Sequence, residues 1–458
     1  MASKGEVGID IHIDRVPLRE ADMEPFEIII SESQERMLCV VEPDKLDAVL
    51  AVCEKWEVRA TSIGVVTDTR RLRVLEDGEA VGDLPVEALV DECPVYDLEP
   101  AEPDAPIYPA PPERIHPGEG PAATLVELLR SPNIASKRWA YEQYDTLVGS
   151  RTTLRSGAGD CAVLSLEPDG GQGAIAVSID GNGRRVACDP FTGAAEAVLE
   201  CAQNLACAGA EPLGLTNCLN FGNPEKPHIA WQFSRAVDGI AAACRALGVP
   251  VTGGNVSLYN EGAEGPIYPT PVIGMVGKLA DPATVPSMGW RAEGDQILLV
   301  GPFAPALAGS ELEKQRGGLS RGLPAIDLEA HARALEAVRA LVASGAVASI
   351  HDISDGGLAC ALAESSIASG LGARVDAVAL GAESDDIALF GEGRGGWVVS
   401  VPDAGVAEVE RVAGEAGVVR LGEVAGNRLV AAATAASLDI PVSELRDAYE
   451  SGVADRLR

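Results

Sequence analysis

The two ends of this chain carry the same pattern of residues at nearly the same spacing. With Gly8 set against Gly372, Glu32 falls on Glu392, Met37-Leu38 on Trp397-Val398, and Pro43-Asp44 on Pro402-Asp403. IGVVTDTRRLRV (63–74) then meets LGEVAGNRLVA (421–431), and DLPVEAL (83–89) meets DIPVSEL (439–445). After each proline the apolar residues fall at helical spacing: Leu46, Val49, Leu50 and Cys53 in the first copy, Val406, Val409 and Val412 in the second. Each copy reads as strand, polar turn, strand, helix and a closing strand pair, an α/β unit used twice. In this reading Ile28, Ile29 and Ile30 are half of a buried strand. SESQER (31–36) is then a turn, with Glu35 and Arg36 paired on its surface.

What precedes the copies differs. Roughly residues 292–371 lead into the second, with the apolar run ILLVG, a helical pattern over 328–344 and SIHDISDGGLACALAE (349–364). Only Met1 to Val7 precede the first. The expectation is a chain that starts part-way through a domain, either a fragment or one whose missing part another chain supplies. An exposed sheet edge should make that incomplete unit prone to association. Between the copies, residues 97–121 are rich in Pro and Glu without a period and read as an extended, exposed connector. From about Ala123 to Lys278 follows a Gly- and Ala-rich α/β stretch, with strands at 162–166 and 174–180 and helices near 193–209 and 229–247.

A chain of 458 residues with 47% hydrophobic and 23% charged content can build two or three cores. No apolar run approaches the ~20 residues that span a bilayer, and the N-terminus has no signal-peptide core, so the expected location is cytoplasmic. The ten cysteines form no C-x-x-C pair; Cys201, Cys207 and Cys244 read as small buried thiols. A net charge of −33 argues against nucleic acid and anionic membranes as partners, while leaving a phosphorylated small molecule open. No P-loop, G-x-S-x-G elbow or H-E-x-x-H occurs, and the five histidines are not clustered.

The chemistry-bearing stretches are loops. In VPVTGGNVSLYNE (249–261) an apolar strand runs into Gly253-Gly254, where backbone can approach a ligand. Asn255 offers a neutral oxygen to a hard cation and Ser257 a hydroxyl to a phosphate; a Gly-rich turn with an Asx bond is the plainer reading. LTNCLNFGNPEKP (215–227) brings Asn217, Asn220 and Asn223, which line a ligand site or simply suit tight turns. In DGNGRRVACDPFTGA (180–194), helix N-capping is the better reading of the aspartates, Asp180 and Asp189. Asp352 and Asp355 cap the following helix, or Asp352 holds a cation; His351 reads as structural. Ser33, Gln34 and Arg36 become Gly393, Arg394 and Gly396 in the second copy. Side chains present in one turn and shed in its repeat favour ligand binding in the first.

Together, TGGNVSLYNE, NCLNFGNPEKP, SESQERM and HDISDGGLA resemble the synthetase subunit of phosphoribosylformylglycinamidine synthase, in the aminoimidazole ribonucleotide synthase superfamily. The resemblance covers essentially the whole chain. It implies an α/β (α+β) fold of repeated A/B domains, mixed sheets flanked by helices. Residues 1–96 would be an incomplete first B domain, 97–122 the linker, 123–285 the second A domain and 290–458 the second B domain. The implied reaction is ATP-dependent amidation of formylglycinamide ribonucleotide in purine synthesis, with ammonia from a glutaminase subunit and a small carrier subunit in the complex. Carried over by position, Glu32, Ser33, Gln34 and Ser257 contact the ribonucleotide, Asn217 and Gly254 contact ATP, and Asn255 binds Mg²⁺. Asn217 stands where the family has Asp, which keeps an acceptor and loses a charge. The family's catalytic histidines belong to a first A domain that no residue here matches, so no catalytic residue is assigned; a separate chain carrying that domain is an implied partner. Asp352 falls on a metal-binding position of the degenerate copy, with an auxiliary nucleotide or metal site as one reading of it. The alternative to catalysis is a nucleotide-binding scaffold; a superfamily kinase is a further option, against which SESQERM and NCLNFGNPEKP speak.

Overall fold

The computed structural model describes residues 1–32, 35–167 and 173–457. They form two units, Met1–Asp97 and Leu98–Arg458.

In the first unit, β1 (Gly8–His12) leads through α1 (Pro25–Ile30) and α2 (Leu46–Lys55) to β2 (Gly64–Thr67), β3 (Arg71–Glu76), β4 (Glu79–Pro85) and the short α3 (Val86–Val90). The sheet order is β2-β1-β3-β4. Strand β1 is antiparallel to β2 and parallel to β3, and β4 returns antiparallel on β3. The expected strand at Ile28–Ile30 is helix instead. Pro25 presets the first turn, and Glu24 and Glu27 close a reciprocal capping box, with the Glu24 N–H donating to Glu27 Oε2 at 2.9 Å. These local bonds outweigh the β-propensity of three isoleucines. Arg36 donates to the Ser31 carbonyl at 2.7 Å, rather than pairing with Glu35.

The second unit holds a six-stranded sheet and a seven-stranded sheet. The first contains β5 (Thr152–Leu154), β6 (Ala162–Ser165), β7 (Ala174–Asp180), β8 (Glu211–Asn220), β9 (Val251–Ser257) and β10 (Thr270–Leu279), in the order β5-β6-β7-β10-β8-β9. Helices α4 (Pro190–Cys207) and α5 (Pro227–Leu247) cover one face. Asp189 caps α4 as expected, accepting from the amides of Phe191 and Thr192 at 3.1 Å each. Cys201, Cys207 and Cys244 are buried, as their apolar settings suggested. The second sheet contains β11 (Gln296–Val300), β12 (Ser349–Asp352), β13 (Ala373–Asp376), β14 (Trp397–Val401), β15 (Val418–Val424), β16 (Arg428–Ala432) and β17 (Ser437–Pro441), ordered β12-β14-β11-β15-β13-β16-β17. Its helices are α6 (Leu328–Ser344), α7 (Gly357–Ser369), α8 (Asp385–Phe390), α9 (Val406–Ala413) and α10 (Val442–Ala454). Helix α4 packs on β7 and β10 of one sheet and on α6 and β12 of the other half, so it is buried almost throughout.

The repeat is exact in register. Ile9 pairs with Val66 and Leu72; Ala373, its counterpart, pairs with Val424 and Leu429. Arg71 donates to Asp83 at 2.6 Å, and Arg428 to Asp439 at 2.5 Å. A Cβ on Gly64 would strike the Asp10 carbonyl, as one on Gly422 would strike that of Arg374. The copies differ in cover. Strand β14 runs between β11 and β12 with every residue buried, whereas its counterpart Met37–Val41 forms no strand and Met37 is 90% exposed. Among the described residues of the first unit nothing corresponds to β11 or β12, which accounts for the difference.

The segment 98–120 is not the free connector its composition suggested. Tyr108 is buried with its hydroxyl donating to the Ile267 carbonyl at 3.1 Å, and Ile115 is buried with its amide on the Gln315 carbonyl at 2.9 Å. Two large side chains anchor this Pro-rich, irregular segment.

Candidate functional site

Four of the seven residues singled out from sequence lie together on the parallel pair β8–β9, where β9 is the sheet edge. The register sets Asn217 beside Gly254, Cys218 beside Asn255 and Asn220 beside Ser257. Alternation along the strands divides them between two faces. Asn217 and Gly254 look to the helix-covered side. Thr216, Cys218, Asn220, Asn255 and Ser257 look to the opposite side, where Asn255 Nδ2 and Asn220 Nδ2 both approach Cys218 Sγ, at 3.8 and 3.7 Å. The polar row is therefore Asn255 and Ser257, with Asn220 beside them, while Asn217 and Gly254 form the backing.

That open face continues into an apolar surface. Val177 and Ile179 on β7 and Val276 on β10 project the same way, and Ile179 is 73% exposed. A bare apolar sheet face of this kind marks a surface made to be covered.

Of SESQER, Glu32 is exposed, and Ser33 and Gln34 lie outside the described residues.

A second constellation joins Asp180, His351, Asp352 and Asp355, which the sequence marked, to arginines and glutamates that it did not, because they are scattered along the chain from residue 184 to 394. Arg185 grips Glu196 through two bonds of 2.5 and 2.7 Å, Arg184 reaches Glu311 at 2.8 Å, and Arg394 pairs with Glu200. Gln203 donates to Asp352 at 3.0 Å and accepts the Gly395 amide at 2.7 Å. Glu392 accepts the amides of Glu311 and Gly356 at 2.7 and 2.8 Å. Capping of α7 by Asp352 or Asp355 is thus not what occurs: Asp352 takes Gln203, Asp355 takes Asn182 at 3.2 Å, and Gly356 itself stands at the cap. His351 lies between Asp160 (2.6 Å) and Glu364 (3.2 Å). Burial opposes its charge, yet the two carboxylates hold its pKa well above the ordinary 6.5. Both ring nitrogens lie on carboxylates, and Asp160, His351 and Asp352 bring ligand atoms within 4.8 Å of one another, the donor set of a cation site. Asp180 is pushed up to about 8, first by burial, then by Glu200 and Asp355. The cavity beside these groups holds about 160 Å³, below the roughly 300 Å³ at which ligand pockets begin. This is a packed ion network joining the two sheets.

Two family models match: the N-terminal domain of AIR synthase related protein over residues 158–279, and its C-terminal domain over 1–77 and again over 292–433. The second match falls on both copies of the repeat, and between them the matches take in most of the sequence. The chain belongs to the AIR synthase related family. Within that family it is 43% identical over 471 residues to the phosphoribosylformylglycinamidine synthase subunit PurL of Thermomicrobium roseum, covering 99% of this chain and 62% of that one. The T. maritima PurL structure complexed with ATP superposes with a TM-score of 0.60 at 27% identity, over 93% of this chain and 60% of the other. The complex of the same protein with FGAR gives 0.61 at 27%, over 93% and 59%. The chain thus spans about three fifths of the length of the relatives it matches. AIR synthase folds pair A- and B-type domains, and the sheet pair and repeated half-sheet described above have that architecture. Among the described residues no helix is long and apolar enough to cross a membrane.

Proposed function

We propose that this chain supplies part of the active site of an ATP-dependent amidoligase that converts formylglycinamide ribonucleotide to its amidine in purine synthesis. The observation that carries this reading is the β8–β9 edge. It sets a hydroxyl and two carboxamides in one row on an open sheet face, in a sequence whose relatives include a PurL complexed with ATP and one complexed with FGAR. Ser257 contacts the ribonucleotide, as do Glu32, Ser33 and Gln34. Asn217 and Gly254, the ATP contacts that the resemblance implies, lie on the helix-covered face and back this row instead of lining it. Gly253 supports backbone approach, since a side chain there would project into open space.

The row fits Mg²⁺ as a minor contributor. Asn255 offers a neutral oxygen, and the row contains no carboxylate, whereas Mg²⁺ sites take one or two carboxylates together with substrate phosphates. Asn255 is one neutral ligand in a shell whose charge comes from elsewhere. Bound there, the cation would neutralise phosphoryl charge as the amide oxygen is activated.

The catalytic groups come from a first A-type domain that covers the apolar sheet face beside Ser257. A glutaminase subunit delivers the ammonia, a small carrier subunit completes the complex, and the setting is cytoplasmic. A scaffolding role has no observation in its favour. Titration calorimetry of formylglycinamide ribonucleotide with the chain and with Ser257→Ala and Gln34→Ala tests the assignment. Binding weakened about tenfold in each variant supports it; unchanged affinity in both refutes it.

A further inference from the structure

Beyond the residues assigned so far, the turn that follows β9 contains a side chain bonded to Ser257 three times over. Asn260 Nδ2 donates to the Ser257 carbonyl at 2.9 Å and to Ser257 Oγ at 3.1 Å, and it also donates to the Phe221 carbonyl at 3.0 Å. In the reverse direction, Ser257 Oγ lies 3.3 Å from Asn260 Oδ1. Two backbone carbonyls converge on one end of the carboxamide, which fixes that end as the nitrogen, because two acceptors demand a donor.

We propose that Asn260 is a positioning residue that holds Ser257 Oγ in one rotamer, presented to the ribonucleotide. This rests on the reading that Ser257 contacts that substrate. A serine hydroxyl has one proton and three staggered positions to choose from. Both atoms of the carboxamide end lie against Oγ, Nδ2 at 3.1 Å and Oδ1 at 3.3 Å, so the hydroxyl is held against Asn260 in one staggered position. Without Asn260 the hydroxyl has no fixed rotamer.

The surroundings are built to keep Asn260 still. Its amide donates to the Phe221 carbonyl at 3.1 Å, its carbonyl accepts from Ile267 at 3.1 Å, and the Tyr259 amide donates to the Gly222 carbonyl at 3.0 Å. Glu261 accepts from the Asn223 amide at 3.2 Å and from Lys226 at 2.7 and 2.9 Å. Tyr259 sits at φ +60°, a conformation a bulky side chain rarely adopts, with its hydroxyl donating to Glu225 at 3.1 Å. The NFGNPEK and SLYNE loops are thereby locked together, and the lock converges on Asn260.

The test is a double-mutant cycle on the full chain, with formylglycinamide ribonucleotide titrated into wild type, Ser257→Ala, Asn260→Ala and the double variant, alongside crystal structures of wild type and Asn260→Ala. Each single change should weaken binding about tenfold, and the double variant should be no weaker than either. Losses that multiply, or an Asn260→Ala protein of unchanged affinity, overturn the proposal. If wild type binds no ribonucleotide, the functional reading fails and the crystal structures decide the positioning claim. Ser257 Oγ spread over more than one rotamer in Asn260→Ala supports it, and an unmoved Oγ refutes it.

Discussion

Asn217 on β8 and Gly254 on β9 stand side by side, and Asn217 fills the space a side chain at 254 would need. A Cβ there would overlap both Asn217 Oδ1 and the Asn217 carbonyl, while one on Gly253 would meet nothing. The two glycines of one motif therefore serve different ends: Gly254 lets the strands close, and Gly253 leaves room outside.

Gly254→Ala should destabilise the chain by about 1–3 kcal/mol, because a backbone carbonyl cannot step aside. Gly253→Ala should stay within about 0.5 kcal/mol. Urea denaturation of both variants measures this, and equal losses would contradict the assignment.

Hydrogen exchange should separate the two copies of the repeat. The amides of Trp397–Val401 lie on a fully buried strand paired on both sides, by β11 and β12, and should exchange only on global opening. Those of Met37–Val41 should exchange orders of magnitude faster, since they form no strand. Matching protection in the two segments would refute the description of the first unit.

Stability should fall as pH rises. Asp180 in the folded chain holds its proton up to about 8, against an ordinary value of 3.8, so the native state binds the extra proton and raising the pH through that window favours unfolding. His351, raised well above 6.5, acts in the same sense, its contribution being full below 6.5 and lost through its higher folded value. Each proton contributes a slope of up to about 1.4 kcal/mol per pH unit. Asp180→Asn should flatten the stability profile between about pH 4 and 8. A variant whose profile keeps the wild-type slope would contradict this.

The buried pair Arg394–Glu200 should show the asymmetry of a desolvated ion pair. Arg394→Met leaves Glu200 buried without its cation and should cost about 3–5 kcal/mol, whereas Arg394→Met with Glu200→Met should recover most of that. Thermal denaturation reads both; a double variant no better than the single would show that the pair is not isolated in this way.

Where the fold was legible in sequence, local signals and tertiary demands agreed. Helix α6 occupies the span its apolar spacing marked, and the registers of β13 with β15 and β16 repeat those of β1 with β2 and β3 because the pattern that specifies one specifies the other. At Ile28–Ile30 a capping box that spans four residues decided the matter against side-chain propensity. Tyr108 and Ile115 anchor a stretch whose composition advertises only solubility. The edge site was readable because its residues sit in two short motifs. Arg184, Arg185, Glu196, Glu200 and Arg394 were not, since charges so far apart in sequence look like surface until the fold buries them together. The division of Asn217 and Gly254 from Asn255 and Ser257 depends on strand alternation, which the motif alone does not reveal.

The most direct test of the central claim is amidine formation from formylglycinamide ribonucleotide, ATP, Mg²⁺ and ammonia. It is to be assayed with this chain alone and again after adding a separately expressed A-type domain, taken with its following segment from a full-length relative. Activity only on mixing, lost in Ser257→Ala, is the predicted result. Undiminished activity in the mixture with Ser257→Ala, or no activity under either condition, would contradict the placement of the site on the β8–β9 edge of this chain.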